Sequence, residues 1–290
     1  MHRKKTFLML AAGLVAMAAQ GGEFSGTRAL EFTRRAVAFG PRPPGSPALE
    51  KLRAYILAEL KPRGCQIIDD AFTARTPVGT VPMHNIICRF PGSSGRAVAV
   101  SGHYDTKLMR GMRFVGADDG GSSTGFLLEM AAALSGRAHF DDIYLVWFDG
   151  EEAFGPWSDT DSLYGSRHLV QRWAADGTLR RLKALINVDM IGDRDLGIMQ
   201  ETNSSAPLRK LVWETAYQLG YGKYFLPEGG PTEDDHLPFV KAGVNAVDLI
   251  DFDKTYWHTA EDTMDKLSAH SFEVVGAVVM RVLERLEGQR

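Results

Sequence analysis

The stretch Ile143-Tyr144-Leu145-Val146-Trp147-Phe148 runs directly into Asp149-Gly150-Glu151-Glu152. Six consecutive apolar residues, several of them aromatic or β-branched, predict a central strand that is covered on both faces. In open α/β sheets, ligands bind beyond the carboxyl ends of such strands. Glu151 and Glu152 are therefore candidates for metal binding and proton transfer. The alternative is a pair of solvated glutamates that open a helix, where acids interact favourably with the helix dipole.

Three further apolar runs also end beside residues of the types that bind metals. They are residues 97–102 before His103, residues 182–188 before Asp189, and residues 246–250 before a loop with His258. Asp118 and Asp119 stand before a helical pattern over residues 123–134, where a single aspartate is usually a helix cap. Helix capping can explain a single aspartate, but it does not explain so many carboxylates and imidazoles at the ends of several strands. Oxygen and nitrogen ligands without cysteine suit a catalytic zinc.

The alternation of apolar strands with helical patterns predicts the fold class. Helices are expected over residues 25–39, 46–60 and 268–287. Strand-like runs between Cys65 and Phe90 predict an antiparallel hairpin at the sheet edge. The sequence therefore predicts an α/β protein, a three-layer α/β/α sandwich around a mixed, mostly parallel central sheet.

Length and charge limit the class of protein further. The chain has 290 residues, 44% of them hydrophobic, which is enough for one sizeable core. No internal repeat or linker is visible, so residues 21–290 are expected to form a single domain. The formal net charge of -3 and the pI of about 6.3 give no reason to expect nucleic acid or an anionic membrane surface as a partner.

The first residues have the features of an export signal. His2-Arg3-Lys4-Lys5 is basic, residues 7–16 are apolar, and Ala16-Met17-Ala18 matches an A-x-A cleavage site. The apolar part is too short to favour a membrane span. We expect a signal peptide over residues 1–20, export to the periplasm or the exterior, and no stable membrane association after cleavage.

Cys65 and Cys88 are the only two cysteines. Export permits a disulfide between them. They lie on two runs that are expected to pair as antiparallel strands, and a bridge directly across such strands is strained. The sequence therefore favours two buried free thiols over a disulfide.

Several segments have the pattern of known enzymes. Four are shared in style by two related groups, and these are His103-Tyr104-Asp105-Thr106, Val115-Gly116-Ala117-Asp118-Asp119, Phe148-Asp149-Gly150-Glu151-Glu152-Ala153-Phe154 and Trp257-His258-Thr259. Two segments are specific to one group. The first, residues 157–169, contains Trp157-Ser158 and Asp161-Ser162-Leu163-Tyr164-Gly165-Ser166-Arg167-His168-Leu169. The second is Glu233-Asp234-Asp235-His236-Leu237-Pro238-Phe239. From about Arg42 to its C-terminus, the chain resembles the type II glutaminyl cyclases (glutaminyl-peptide cyclotransferases), relatives of the zinc aminopeptidases.

This resemblance implies a reaction and a cofactor. The reaction is conversion of the N-terminal glutamine of peptides or proteins to pyroglutamate, with release of ammonia, on a fold of the zinc aminopeptidase type. One zinc ion per chain is implied, with Asp119, Glu152 and His258 as its ligands. Asp119 is preferred over Asp118 because in both groups the ligand stands ten positions before a helical glutamate, here Glu129.

The resemblance also assigns roles to residues that do not bind the zinc. Glu151 would be the general acid/base, and Asp189 the carboxylate that holds the scissile amide. Asp234 would belong to the supporting hydrogen-bond network, while Trp157 and Trp257 would line the substrate pocket. A further set, expected to be structural or exposed, consists of His168, His236 and His270.

Two departures from the cyclase pattern keep a hydrolase as the alternative. Asp248 stands where the cyclases commonly have a histidine, and residues 120–123 are closer in style to the aminopeptidases. An exported zinc aminopeptidase would recruit His103 and Asp189 as ligands of a second metal. A metal-free binding domain on the same fold ranks third, because every expected ligand is present. The second residue of the peptide and the oligomeric state do not follow from the sequence.

Overall fold

The computed structural model describes residues 22–252 and 254–288. The predicted signal peptide, residues 1–20, lies outside this part of the chain. Among the helices in the described ranges, none has both the length and the apolar character that a membrane crossing requires.

A six-stranded mixed sheet forms the middle layer of the molecule. Its strands are β1 (Gln66–Thr76), β2 (Gly79–Phe90), β3 (Ala97–His103), β4 (Asp142–Phe148), β5 (Leu182–Asp189) and β6 (Ala246–Ile250). Their spatial order is β1-β2-β4-β3-β5-β6. Strands β4, β3, β5 and β6 pair in parallel, whereas β1 pairs with β2, and β2 with β4, in antiparallel fashion.

Helices cover both faces of this sheet. They are α1 (Gly26–Val37), α2 (Pro47–Leu60), α3 (Gly121–Leu134), α4 (Tyr164–Asp176), α5 (Thr178–Arg181), α6 (Ala206–Gln218), α7 (His236–Lys241) and α8 (Ala269–Glu287). Helices α1, α2, α3, α6 and α8 pack on one face, and α4 and α7 pack on the other. The three-layer sandwich with a mixed sheet confirms the predicted fold class.

Strand β4 shows why its sequence forms a central strand. All seven of its residues are buried. Ile143, Leu145 and Trp147 pack into the core on one face, while Tyr144 and Phe148 pack into the core on the other. Because side chains alternate between the faces of a strand, an unbroken apolar run is suited only to a strand with two buried faces.

The prediction of two free thiols is wrong, because Cys65 and Cys88 form a disulfide with a Cα–Cα distance of 5.5 Å. In the register of the hairpin, Cys88 lies opposite Ile67, and Cys65 lies two positions before that partner. The bridge is therefore diagonal. The argument from strain holds for a bridge directly across two strands, and this bridge starts just outside β1.

Candidate active site

The carboxyl ends of the parallel strands meet at one edge of the sheet, and most of the predicted site residues lie there. β3 ends at His103, β5 ends at Asp189, and Glu151 and Glu152 follow the last residue of β4, Phe148, after Asp149 and Gly150. His258 comes from the loop after β6. Each of these parallel strands ends at this edge, so residues distant in sequence converge there.

Asp119, Glu152 and His258 form one group of converging side chains. His258 Nε2 lies 3.2 Å from Asp119 Oδ2 and 3.0 Å from Glu152 Oε1. One ligand atom from each residue lies within 4.8 Å of the others, and Asp119 Oδ2 is buried without a hydrogen-bond partner. Two carboxylates and one imidazole fit a zinc site with a position left for substrate.

The backbone holds His258 in an uncommon conformation. Its φ of 54° is in the left-handed region, which residues other than glycine rarely adopt. The ring of Trp257 stacks on the His258 imidazole with centroids 4.0 Å apart, and Phe114 meets it edge-on at 5.7 Å. These two rings fix the direction of the imidazole toward the two carboxylates.

A second group of possible metal ligands shares Asp119 with the first. His103 Nε2 lies 3.1 Å from Asp189 Oδ1 and 3.2 Å from Asp119 Oδ1. These three side chains are buried, and their ligand atoms lie within 4.8 Å of one another. The arrangement that a two-metal enzyme needs is thus present in the geometry.

The two aspartates before α3 have different surroundings. Asp118 Oδ1 accepts a hydrogen bond from the Gly192 amide at 2.8 Å, which ties the entrance of α3 to the segment after β5. Asp119 belongs to both groups of possible ligands. Neither aspartate caps the helix, because the N-cap residue is Gly120. Of the two aspartates, only Asp119 therefore lies in a group of side chains that could hold a metal ion.

Gly120 allows the chain to turn immediately after Asp119. It has a φ of 73°, and a Cβ at this position would lie 2.3 Å from the Asp105 carbonyl oxygen. A side chain would also approach the His103 ring to 3.0 Å. Any larger residue would displace the loop that carries Asp119.

Glu151 and Glu152 are buried, and they do not open a helix, because residues 151–163 are not helical and α4 begins only at Tyr164. The alternative of two solvated glutamates at a helix start is therefore wrong. The Asp105 carboxylate, itself fully buried, accepts hydrogen bonds from the amides of Glu151 at 3.2 Å and Glu152 at 3.4 Å. Asp105 fixes the backbone of both glutamates.

Burial shifts the proton affinity of two carboxyl groups at the site. It raises the pKa of Glu151 well above its usual range, and although His103 opposes this, neighbouring carboxylates such as Glu152 add to it. Burial likewise raises the pKa of Asp189 to about 7, against the opposing effect of His103. A carboxyl group with a raised pKa can both donate and accept a proton near neutral pH.

Besides Asp105, two residues contribute to the site without having been predicted. Asp262 accepts hydrogen bonds from the amides of Asp118 at 2.8 Å and Asp119 at 3.2 Å. Lys107 Nζ lies 3.2 Å from Glu152 Oε2 and donates to the Ala153 carbonyl. Asp262 supports the loop before α3, and Lys107 compensates part of the negative charge of Asp119 and Glu152.

A cavity of about 470 Å³ opens at the first ligand group. Trp157 and Trp257, which are 36% and 38% exposed, form parts of its wall. The indole Nε1 of Trp157 donates to Glu233 Oε2 at 2.7 Å. The Phe252 ring packs on Trp257 with centroids 4.8 Å apart. The structure therefore brings both predicted tryptophans to the mouth of the site.

Asp234 lies at the floor of the cavity and belongs to a buried polar network. Asn187 Nδ2 donates to Asp234 Oδ1 and to Asp248 Oδ1, both at 3.1 Å. Ser101 Oγ donates to Asn187 Oδ1 at 2.9 Å and so fixes the orientation of the amide. Asp248 thus takes part in the network through its Oδ1, and the His236 imidazole lies 3.8 Å from its other oxygen.

Comparisons with known proteins agree with the resemblance to the glutaminyl cyclases. The sequence profile of peptidase family M28 matches residues 85–283. The chain is 30% identical over 249 residues to a glutaminyl-peptide cyclotransferase of Drosophila melanogaster, across 77% of this chain and 70% of that protein. A crystal structure of an Acidobacteriales bacterium glutaminyl cyclase matches with a TM-score of 0.88 and 39% identity, over 98% of this chain and 100% of the other. The chain belongs to peptidase family M28 and, within it, to the glutaminyl cyclases.

The resemblance to glutaminyl cyclases is therefore confirmed. A hydrolase also shares the fold of this chain. A crystal structure of a Zn-dependent exopeptidase from Parabacteroides distasonis matches with a TM-score of 0.82 and 26% identity, covering 93% of this chain and 100% of the other. Family membership alone leaves both reactions to be compared at the site.

Proposed function

We propose that the chain is a zinc-dependent glutaminyl-peptide cyclotransferase that acts on peptides or proteins with an N-terminal glutamine. The observation that carries this proposal is the group of Asp119, Glu152 and His258, with Glu151 beside it, at the bottom of a cavity walled by tryptophans. The relatives named glutaminyl cyclases support it across almost the whole chain. We propose one zinc ion per chain, held by Asp119, Glu152 and His258.

The reaction needs one bond to form and one to break. The α-amine of the glutamine attacks the side-chain carboxamide carbon, and the carboxamide nitrogen leaves as ammonia. Zinc bound by the ligand group supplies a Lewis acid for the carboxamide oxygen. Glu151 accepts a proton from the attacking amine and gives a proton to the leaving nitrogen, a role that its raised pKa suits. No water is consumed.

The pocket residues contribute by orientation. Asp189 lies at the cavity wall and can accept a hydrogen bond from the carboxamide nitrogen. Trp157 and Trp257 supply flat walls that restrict the glutamine side chain. Because nucleophile and electrophile belong to one residue, holding them in attack geometry is a large part of the catalysis.

We also propose that the protein is exported. Residues 1–20 have the pattern of a signal peptide, and the disulfide between Cys65 and Cys88 suits an oxidising compartment. Immunoblotting of periplasmic and medium fractions would show a shortened chain, whereas a full-length chain confined to the cytoplasm would contradict the proposal.

The activity is tested by mass spectrometry of peptides incubated with the purified, zinc-loaded enzyme. A peptide that begins with glutamine should lose one ammonia and then resist ordinary aminopeptidases. The same peptide with an acetylated amine should not react, because the amine is the nucleophile. Release of a free first amino acid without loss of ammonia would contradict cyclisation.

A zinc aminopeptidase is the second candidate, and the group of His103, Asp119 and Asp189 favours it. Two bound metals would allow one carboxylate to deprotonate a bridging water. Elemental analysis separates the two functions. Two zinc ions per chain, with one lost in His103→Ala, would favour the hydrolase, whereas one zinc retained in that variant favours the cyclase.

A further inference from the structure

Glu201 is a fully buried carboxylate outside both groups of possible metal ligands, in the segment between β5 and α6. Its Oε1 accepts hydrogen bonds from the amides of Thr232 at 2.9 Å and Asn203 at 2.7 Å. Its Oε2 accepts from the amide and the hydroxyl of Ser204, at 2.6 and 2.7 Å. Four donors to one carboxylate compensate for its burial.

Thr232 connects this carboxylate to the wall of the substrate cavity. Residues 228–233 form a loop, here called the wall loop, of which Pro231, Thr232 and Glu233 line the cavity. Two more hydrogen bonds tie this loop to the segment around Glu201, one from Asn203 Nδ2 to the Thr232 carbonyl at 2.9 Å and one from the Thr202 amide to the Gly230 carbonyl at 3.0 Å.

The wall loop also packs tightly against this segment at a glycine. A Cβ on Gly229 would lie 2.1 Å from the Gln200 carbonyl oxygen. The two stretches of backbone therefore pack directly on each other. From the stretch around Gln200, the Glu201 side chain reaches across and accepts a hydrogen bond from the backbone N–H of Thr232.

A second connection runs through His236, which is also fully buried. Its Nε2 lies 3.1 Å from Glu201 Oε2. His236 opens α7, two residues after Asp234, so Glu201 contacts the chain on both sides of Glu233 and Asp234.

The consequence appears at the pocket itself. Glu233 accepts a hydrogen bond from the indole N–H of Trp157, and Asp234 accepts one from the side-chain amide of Asn187. Both depend on the position of the chain between Thr232 and His236, and Glu201 holds both ends of it.

We propose that Glu201 is a positioning residue for the substrate pocket, which holds the wall loop so that Glu233, Asp234 and Trp157 form the binding site for the N-terminal residue. This inference rests on the proposed function. It concerns a residue that touches neither substrate nor metal, so its effect should appear in substrate binding more than in turnover.

The test is Glu201→Gln in the full-length, zinc-loaded enzyme. An amide has one acceptor oxygen, so it cannot accept from both pairs of donors. We expect KM for a glutamine-initiated peptide to rise about tenfold, as for the loss of one or two hydrogen bonds, with kcat within about twofold. Zinc content should be unchanged. If Glu201 served only global folding, kcat would fall with the folded fraction while KM stayed constant.

Two further variants complete the test. Glu228→Gln removes an exposed carboxylate from the same loop and should leave KM unchanged. Asn203→Ala removes the side-chain hydrogen bond to the Thr232 carbonyl, and because Asn203 is exposed the variant should fold. It should raise KM by a smaller factor than Glu201→Gln. In the double variant it should add little to the effect of Glu201→Gln, because both side chains act through Thr232. If Glu201→Gln does not fold, Asn203→Ala decides the matter.

The outcomes separate this inference from the proposed function. An unchanged KM in Glu201→Gln, or in Asn203→Ala where that variant decides, overturns the positioning role. A wild-type enzyme that releases no ammonia overturns the cyclase proposal instead. In that case the same KM comparison is made with the peptide whose first residue the enzyme releases, since the wall loop lines the same cavity.

Discussion

Two neighbouring glutamates, chemically identical in the sequence, occupy different surroundings in the fold. Glu152 lies against His258 and Lys107, at 3.0 and 3.2 Å. Glu151 faces the other side of the site, with its Oε2 3.9 Å from His103 Nδ1. This difference in direction supports the two proposed roles, zinc ligand for Glu152 and proton transfer for Glu151.

Substitution of each glutamate by glutamine should separate these roles. Glu152→Gln should lower the zinc content, because a neutral amide is a poor ligand. Glu151→Gln should retain zinc and lose turnover by about 10² to 10⁴, the usual contribution of a general acid/base. Metal analysis and ammonia release measured on the same preparations check both. A metal-free Glu151→Gln beside a metallated Glu152→Gln would reverse the assignment.

The convergence of Asp119, Glu152 and His258 could be anticipated because their residue types are those that bind zinc. Asp105 and Asp262 could not, because their partners are backbone amides. Asp262 binds the amide of Asp118, 144 positions earlier in the chain. No periodicity or composition connects residues so far apart, and only the folded chain shows which aspartate accepts from which amide.

Elements with unbroken apolar runs or clear caps were predicted closely. β6 has the predicted bounds, and Ser46 caps α2 by accepting from the Leu49 amide at 3.2 Å. The β1–β2 hairpin is longer than its apolar runs suggest. Its outer part alternates exposed and buried residues, so the strand pairing depends on backbone hydrogen bonds that composition does not reveal.

The disulfide gives the hairpin a testable contribution to stability. Its cysteines are 23 positions apart, and closing a loop of this length typically adds about 3 kcal/mol to the free energy of unfolding. The double variant Cys65→Ser, Cys88→Ser should lose about that amount in urea titration. Its KM should stay unchanged, because Cys88 lies opposite Leu145, away from the cavity. Equal stability of variant and wild type under oxidising conditions would show that the bridge does not form.

For the whole molecule, the pattern of apolar runs was sufficient to predict three layers and the edge where the site lies. It was not sufficient for the mouth of the cavity. Residues 228–233 have neither helical nor strand periodicity, and their shape depends on hydrogen bonds to Glu201. The sequence could therefore indicate the chemistry at the floor of the site but not the wall that faces the peptide.

Burial of many carboxyl groups makes the stability of the molecule depend on pH in opposing ways. Burial raises the pKa of Asp235 and Asp248 well above the usual range, so these groups favour the fold more as the pH falls. Glu201 behaves in the opposite way. Burial would raise its pKa, but contacts from His236, Ser204 and backbone amides outweigh it and lower the pKa to about 2.

A difference between two variants isolates the contribution of Glu201. With a folded pKa of about 2 and an ordinary value of 4.5, the Glu201 carboxylate stabilises the fold fully above pH 4.5. This stabilisation is lost as the pH falls toward 2. The free energy of unfolding of the wild type should exceed that of Glu201→Gln by up to about 3 kcal/mol at pH 7, and the gap should narrow steadily below pH 4.5. Urea titrations of both proteins between neutral and acid pH measure this gap, with Glu228→Gln as the exposed control. A gap that stays constant with pH would show that the ionised carboxylate of Glu201 does not stabilise the folded chain.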